Sequence, residues 1–128
     1  MKDEVRRLIK KAETTLKVAE ELIRGGHPPD AASKVYYAMF YAAQAALISE
    51  GVDVVKHSAV ESAFGLHFAK SGKMDSKFHR MLIDARKIRE IADYDTREEI
   101  IEPVATLKIE DGKSFLETIK KFLGLIAP

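Results

Sequence analysis

The sequence predicts an all-α protein, an up-and-down bundle of four to five helices that forms one domain over residues 1–128. Apolar side chains recur three and four residues apart along most of the chain, which is the period of amphipathic helices. Glycines and prolines divide this pattern into segments of helical length. No stretch alternates apolar and polar residues as a strand would, and 128 residues can bury a self-sufficient core.

The first helix is predicted over residues 2–24, where apolar residues at helical spacing are separated by charged ones. The pair Gly25-Gly26 ends it, because glycine adopts the left-handed conformation beyond a helix end at little cost. The pair Pro28-Pro29 suits the first turn of the second helix, where a missing N–H is not needed. This second helix is predicted to continue to Gly51.

Two further helices are predicted at about residues 57–70 and 75–94. In the first of them His67 lies in the apolar stripe and is expected in the core. The second has an apolar stripe of Phe78, Met81, Leu82, Ala85, Ile88 and Ala92.

The segment Thr96-Arg97-Glu98-Glu99 matches a capping box, which predicts a helix start at Thr96. Pro103 would limit a helix begun there to a turn or two. The last helix is predicted at about residues 106–123, with Gly112 on its apolar side. A glycine inside a helix costs about 1 kcal/mol relative to alanine, so Gly112 predicts a close approach of a neighbouring helix.

The second helix is apolar almost all round, which predicts a central position in the bundle. One narrow polar and aromatic stripe interrupts it, with members three or four residues apart and therefore on one face. The stripe consists of Asp30, Lys34, Tyr37, Tyr41 and Gln44. A buried helix with such a stripe is expected to contact another molecule through it; the alternative is that the tyrosines only pack in the core or at a dimer interface.

Composition excludes several classes of protein. Cysteine is absent, which excludes disulfides, thiolate metal sites and cysteine nucleophiles. The amino terminus is charged and has no apolar signal region, and the longest near-apolar run, residues 35–48, is too short to span a bilayer. We therefore expect a cytoplasmic protein that does not insert into a membrane. Asparagine is absent, glutamine occurs once and charged residues reach 32%, a composition that resembles that of thermophilic proteins.

The net charge of +1 gives no overall signature of polyanion binding, but the charges are unevenly distributed. Residues 56–89 contain eight Lys or Arg and three Asp or Glu, whereas residues 90–111 contain two and eight. A basic middle followed by an acidic segment is compatible with a surface that faces phosphate. It is also compatible with two complementary solvated faces, which is the simpler interpretation.

The four histidines, His27, His57, His67 and His79, do not predict a metal site. No two of them are three or four residues apart on one helix, so the pair of histidine ligands that a metal site on a helix uses is missing. Phosphate-binding glycine loops and nucleophile motifs are also missing. We expect no metal and no other cofactor, and we assign no catalytic residue.

Steps of three and four place Arg86, Arg89 and Asp93 in one row beside the apolar stripe of the fourth predicted helix. The row has two interpretations. Arg89 and Asp93 form an ion pair that orders the end of the helix, or Arg86 and Arg89 face a phosphate with a tyrosine nearby for stacking. Lys56 and His57 open the preceding helix, where backbone donors and the helix dipole favour anions.

Three segments of the chain resemble the HEPN superfamily, whose name stands for higher eukaryotes and prokaryotes nucleotide-binding. They are Tyr36-Tyr37-Ala38-Met39-Phe40, Lys56-His57-Ser58 and Arg89-Glu90-Ile91-Ala92-Asp93-Tyr94-Asp95. The likeness covers nearly the whole chain in order and spacing. The nearest branch contains small stand-alone bacterial and archaeal proteins.

This resemblance implies a bundle of four or five helices, commonly a homodimer, with nucleotide or RNA binding as the ancestral theme. Many relatives are encoded beside, or fused to, a minimal nucleotidyltransferase, and some of these pairs are toxin–antitoxin systems. Catalytic members are metal-independent ribonucleases that use an Arg followed four to six residues later by a His. By the same likeness, Tyr36, Asp93, Tyr94 and Asp95 belong to the structural part of the motif.

This chain departs from the catalytic pattern, because none of its arginines is followed by a histidine at that interval. After Arg89 the candidate positions hold Tyr94 and Asp95, neither of which replaces an imidazole that titrates near neutral pH. The family also often places His and Arg where this chain has Tyr41 and Gln44.

We therefore expect a non-catalytic nucleotide- or RNA-binding regulatory module that acts with a nucleotidyltransferase partner. The residues expected to contact the ligand are Lys34, Tyr37, Tyr41, Lys56, His57, Arg86 and Arg89. One alternative is a ribonuclease toxin that combines His57 or His79 with Arg86 or Arg89. The other is a purely structural bundle that binds a partner protein.

Overall fold

The computed structural model describes residues 2–128, and within that range all regular secondary structure is helical. The elements are α1 (Asp3–Arg24), α2 (Pro28–Ser49), α3 (His57–Phe64), α4 (Ser76–Tyr94) and α5 (Glu102–Phe122), with a π-helical turn, Gly65–Lys70, that continues α3. The predicted all-α bundle is confirmed. None of the helices in residues 2–128 combines the length and apolar character that crossing a bilayer requires.

Helix α2 occupies the centre and packs against α1, α3, α4 and α5. Thirteen of its 22 residues are buried, which confirms the position that its apolar sequence predicts. The helix begins with Pro28 in its first turn and ends at Ser49. The turn that follows it uses Gly51 at φ +80°, as the turn after α1 uses Gly26 at φ +82°.

Gly112 of α5 lies at a close contact of three helices. A Cβ atom placed on it would be 3.1 Å from both Leu16 Cδ1 of α1 and Val35 Cγ1 of α2. The predicted close approach at Gly112 is therefore confirmed, and it joins three helices at one point.

The predicted capping box is wrong. Thr96 caps no helix, because the Asp95 carboxylate accepts hydrogen bonds from the backbone N–H of Arg97 at 2.8 Å and of Glu98 at 3.2 Å. This local side-chain to backbone bonding competes with helix formation. Helix α5 instead begins at Glu102, and Pro103 lies in its first turn, where proline is tolerated.

The predicted core position of His67 is also wrong. Its side chain is partly exposed, whereas Val60, Phe64 and Phe68 form the buried side of this segment. The Phe64 and Phe68 ring centroids are 5.1 Å apart, and this aromatic pair fills the space between α3 and its neighbours.

Gly65 marks the junction between α3 and the π-helical turn, and the ring of His79 from α4 lies directly over it. A Cβ atom on Gly65 would overlap this ring, with 2.7 Å to His79 Nε2. The same nitrogen is 3.0 Å from the backbone carbonyl oxygen of Glu61. The missing side chain at Gly65 therefore lets His79 link α4 to α3.

Replacing Gly65 by alanine is expected to lower the free energy of unfolding by about 1–3 kcal/mol, because it crowds the His79 ring. In the His79→Ala background the same replacement is expected to stabilise by up to about 1 kcal/mol, since only the helix propensity of alanine remains. Chemical denaturation of the four proteins of this double-mutant cycle measures the difference. Equal effects of Gly65→Ala in both backgrounds would contradict the steric account.

Candidate functional site

Five side chains from three helices form a cluster at the contact of α2, α3 and α4. They are Arg89 and Tyr94 of α4, Tyr36 and Tyr37 of α2, and His57 at the start of α3. We refer to these five residues as the Arg89 cluster. All three sequence segments that carry the family resemblance meet in it.

The guanidinium of Arg89 is surrounded by aromatic rings. Its carbon Cζ lies 5.0 Å from the ring centroid of Tyr36, 5.8 Å from that of Tyr37 and 5.7 Å from that of Tyr94. These distances are within the range of cation–π attraction, which is strongest where water is excluded. The Arg89 side chain is only 13% exposed.

Arg89 is nevertheless poorly matched by anionic groups. The Asp93 Oδ2 atom is 3.7 Å from Arg89 Nη1, which makes an ion pair but not a hydrogen bond. Among the described residues, Arg89 Nε is buried without any hydrogen-bond partner. Asp93 also accepts a hydrogen bond of 3.3 Å from the Ser33 hydroxyl. The predicted Arg89–Asp93 pair is therefore present, but it is loose and shared with α2.

His57 joins the cluster through Tyr36. The Tyr36 hydroxyl is 2.9 Å from His57 Nδ1, and the imidazole stacks on the ring of Phe40 with centroids 4.2 Å apart and planes at 20°. The edge of the imidazole meets Tyr37 at a centroid distance of 5.7 Å. Residue spacing could not reveal this contact, because Tyr36 and His57 lie 21 positions apart in the chain on different helices.

The cluster shifts the protonation equilibria of two of its members. Burial lowers the pKa of His57 below its ordinary value, and the positive charge of Arg89 lowers it further. Burial also raises the pKa of Tyr36 to about 12, against an opposing effect of Arg89. At neutral pH the Tyr36 phenol is therefore protonated, and the neutral imidazole is the favoured form of His57.

Arg86, which the sequence places in the same row as Arg89, is used differently. Its Nε donates to Glu61 Oε1 of α3 at 2.8 Å, and its Nη1 donates to Glu90 Oε1 at 3.1 Å. The carboxylates of Glu61 and Glu90 thus contact the same guanidinium, and the bond between Arg86 and Glu61 links α4 to α3. The structure separates the two arginines by role: Arg86 is paired with acids, and Arg89 is held by tyrosines.

The other predicted contact residues are divided between solvent and the interior. Lys34 and Lys56 are exposed. Tyr41 is partly buried beneath the Lys11 ammonium group, which lies 4.6 Å from its ring centroid. Gln44 donates a hydrogen bond of 3.0 Å to the backbone carbonyl of Val54. Tyr41 and Gln44, the C-terminal members of the polar stripe on α2, are therefore contacted by other parts of the chain, whereas Tyr37 belongs to the Arg89 cluster.

The start of α3 lies beside this cluster and has the character of an anion site. Lys56 is the N-cap residue, no side chain caps the helix, and no acidic residue stands in its first turn. The first N–H groups of a helix have no partner within it, and with the helix dipole they attract negative charge. Lys56 is a cationic residue at this helix start, and the positive charge of Arg89 acts on His57 in its first turn.

His79, the second histidine considered for catalysis, contacts the Glu61 carbonyl and not Arg89. Within residues 2–128 there is no group of three or more His, Asp and Glu side chains that could hold a metal ion. The Arg89 cluster offers a positive charge that can attract an anion and aromatic rings on which another ring can stack.

Comparison with known proteins gives one family and several similar chains. The sequence profile of the HEPN domain matches residues 5–127. A Methanocaldococcus jannaschii protein named "Putative toxin" is 34% identical over 122 residues, which cover 95% of this chain and 83% of that protein. A UPF0332 protein of Gloeobacter violaceus is 32% identical over 125 residues, which cover 97% of this chain and 99% of that one.

Replacing Arg89 by glutamine is expected to raise the pKa of His57 towards its ordinary value, because one of the two causes of its lowering is the positive charge of Arg89. The return should be incomplete, since burial remains. Titration of the imidazole C–H resonances by NMR measures the shift. Arg80→Gln, on the exposed side of α4, is the matched control and should leave His57 unchanged. An unaltered His57 pKa in Arg89→Gln would contradict the described cluster.

Proposed function

Because the chain belongs to the HEPN domain family, we propose that it is a non-catalytic nucleotide- or RNA-binding regulatory module. The observation that carries this proposal is the Arg89 cluster beside the uncapped start of α3. A nucleotide offers two features, an anionic phosphate and an aromatic base. The start of α3 can bind the phosphate, and the tyrosines of the Arg89 cluster can contact the base.

The phosphate is proposed to lie at the start of α3. There it can accept hydrogen bonds from the first backbone N–H groups and meet the exposed ammonium group of Lys56. Arg89 is too enclosed to leave its aromatic surroundings, so its contribution is a fixed positive field at short range. Such a field gives affinity without requiring the side chain to reorganise.

We further propose that the chain acts as a two-fold homodimer and with a minimal nucleotidyltransferase protein, as many members of the family do. Support for a protein partner comes from apolar side chains that remain in solvent, notably Ile101 and Leu107 near the start of α5. The name "Putative toxin" belongs to a relative, and for this chain a toxin–antitoxin role is part of the proposal.

Titration with a short fluorescent single-stranded RNA and with ATP tests binding. The affinity of the wild-type protein is expected to fall steeply with salt, because each phosphate contact releases counterions. Lys56→Gln is expected to weaken binding and to reduce the slope of log K against log salt by about one. Fluorescence anisotropy at several salt concentrations measures both quantities.

The matched control is Lys10→Gln on the exposed side of α1, which changes the net charge equally but lies on a different helix. It is expected to leave the slope unchanged. If the wild-type protein binds neither RNA nor ATP at low salt, the nucleotide-binding proposal is wrong and a purely structural, partner-binding bundle remains.

A second candidate function, a metal-independent ribonuclease, is favoured by one observation. Through Tyr36 and Tyr37 the fold brings the imidazole of His57 to Arg89, although no histidine follows that arginine at the family's interval. With Nδ1 protonated and donating to Tyr36, the Nε2 atom of neutral His57 could accept a proton from a ribose hydroxyl. Arg89 would then stabilise the negative charge of the reacting phosphate.

Incubation of the purified protein with RNA and a chelator separates the two candidates. The non-catalytic proposal expects no cleavage above that of a blank preparation, because no histidine follows an arginine at the interval used by the catalytic members of the family. Cleavage that persists with chelator, and that both His57→Asn and Arg89→Gln abolish without unfolding the protein, would establish the ribonuclease instead. Circular dichroism provides the check that both variants remain folded.

A further inference from the structure

The outer side of α4 carries an open cleft of about 580 Å³ that lies beyond the ring of Tyr94. It is bounded by the last two turns of α4 and by the segment 95–97 that leaves the helix. The volume falls within the range of small-molecule sites, which is roughly 300–1,000 Å³. The family resemblance implies only a structural role for Tyr94, so this cleft is a new candidate site.

Tyr94 is the exposed tyrosine of the Arg89 cluster. Its residue surface is 73% exposed, whereas Tyr36 is buried and Tyr37 and Tyr41 are partly buried. The Arg89 guanidinium lies 5.7 Å from the Tyr94 ring centroid and holds the ring in place. A large aromatic side chain that is anchored yet left in water is the arrangement that proteins use to stack nucleic acid bases.

Two cationic side chains flank this ring. Lys87 precedes Tyr94 by seven residues, which puts both on one side of α4 about 10 Å apart along the axis. Arg97 has a side chain that is 92% exposed, and its Nε forms an ion pair with Asp95 Oδ1 at 3.7 Å without a hydrogen bond. Phosphates in a nucleic acid strand can reach both cations while a base rests between them.

The segment that carries Arg97 is ordered by Asp95. The carboxylate accepts the N–H groups of Arg97 and Glu98, so the chain turns at the rim of the cleft and directs Arg97 outward. The other carboxylate of the cleft, Glu90, is paired with Arg86 at 3.1 Å. Both acids thus have partners within the protein, and the cleft is lined by the two flanking cations, Lys87 and Arg97.

We propose that this cleft binds one unpaired nucleotide, with its base stacked on Tyr94 and its phosphates near Lys87 and Arg97. The inference rests on the proposed nucleotide- or RNA-binding function and specifies the ligand as a base with its phosphate. Because the cleft is open at its surface and has cations on two sides of the ring, a single-stranded RNA is the source we favour. A free mononucleotide shares the same chemistry.

The test uses the whole protein and a fluorescein-labelled oligouridine of twelve nucleotides at low salt. Tyr94→Leu, which keeps an apolar side chain but removes the ring, is expected to weaken binding at least fivefold, whereas Tyr94→Phe should retain the wild-type affinity. Lys87→Gln and Arg97→Gln are each expected to reduce the salt slope by about one. Arg80→Gln, two turns before Lys87 on the exposed side of α4, is the control and should change neither quantity.

Competition distinguishes the two sources. If AMP at millimolar concentration displaces the labelled RNA, the cleft also binds a free nucleotide. If AMP does not displace it, the cleft binds a strand only. Both results support a site for a base and its phosphate. Wild-type binding that Tyr94→Leu leaves unchanged would overturn this inference but not the proposed function. Absence of any wild-type binding to RNA or nucleotide would overturn both.

Discussion

The small side chains of α2 let four other helices approach it closely, and the positions of the functional side chains depend on that packing. Seven of its thirteen buried residues are alanines, namely Ala31, Ala32, Ala38, Ala42, Ala43, Ala45 and Ala46. Extra methyl groups in such a close-packed interior typically cost 1–3 kcal/mol, so the spacing of the helices is tightly specified. Because α3 and α4 both rest on α2, one residue of α2, Tyr36, can contact His57 and Arg89 at the same time.

Arg86 and Arg89, which are neighbours on α4, have different surroundings and therefore different roles. Arg86 contacts two carboxylates and stabilises the joint between α3 and α4. Arg89, one turn later, is surrounded by tyrosine rings, which attract a cation without neutralising it. A guanidinium in such surroundings keeps its charge available to a nearby anion. The basic middle of the sequence is thus not one surface, since its members are divided among structural pairs, the Arg89 cluster and the outer side of α4.

The sequence was sufficient for the class of fold, the central place of α2 and the close approach at Gly112, because these follow from apolar periodicity and from local backbone preferences. It was insufficient where local and distant interactions compete. The segment Thr96-Arg97-Glu98-Glu99 matches the sequence of a capping box. The Asp95 carboxylate, however, accepts hydrogen bonds from the backbone N–H groups of Arg97 and Glu98. The contact between Tyr36 and His57 joins positions remote in sequence, and only the packing of α3 on α2 creates it. Exposure of Tyr94 could likewise not be read from spacing, since it depends on which other parts of the chain cover the end of α4.

The tyrosines of the Arg89 cluster provide an intrinsic ultraviolet signal from this part of the protein. The chain has no tryptophan and four tyrosines, so its intrinsic ultraviolet emission comes from tyrosine alone. Three of those four, Tyr36, Tyr37 and Tyr94, surround the Arg89 guanidinium. Three of the four intrinsic fluorophores therefore have ring centroids within 5.8 Å of one charged group. Events at that group are accessible to unlabelled fluorescence and to ultraviolet difference absorption without introducing any dye or foreign residue.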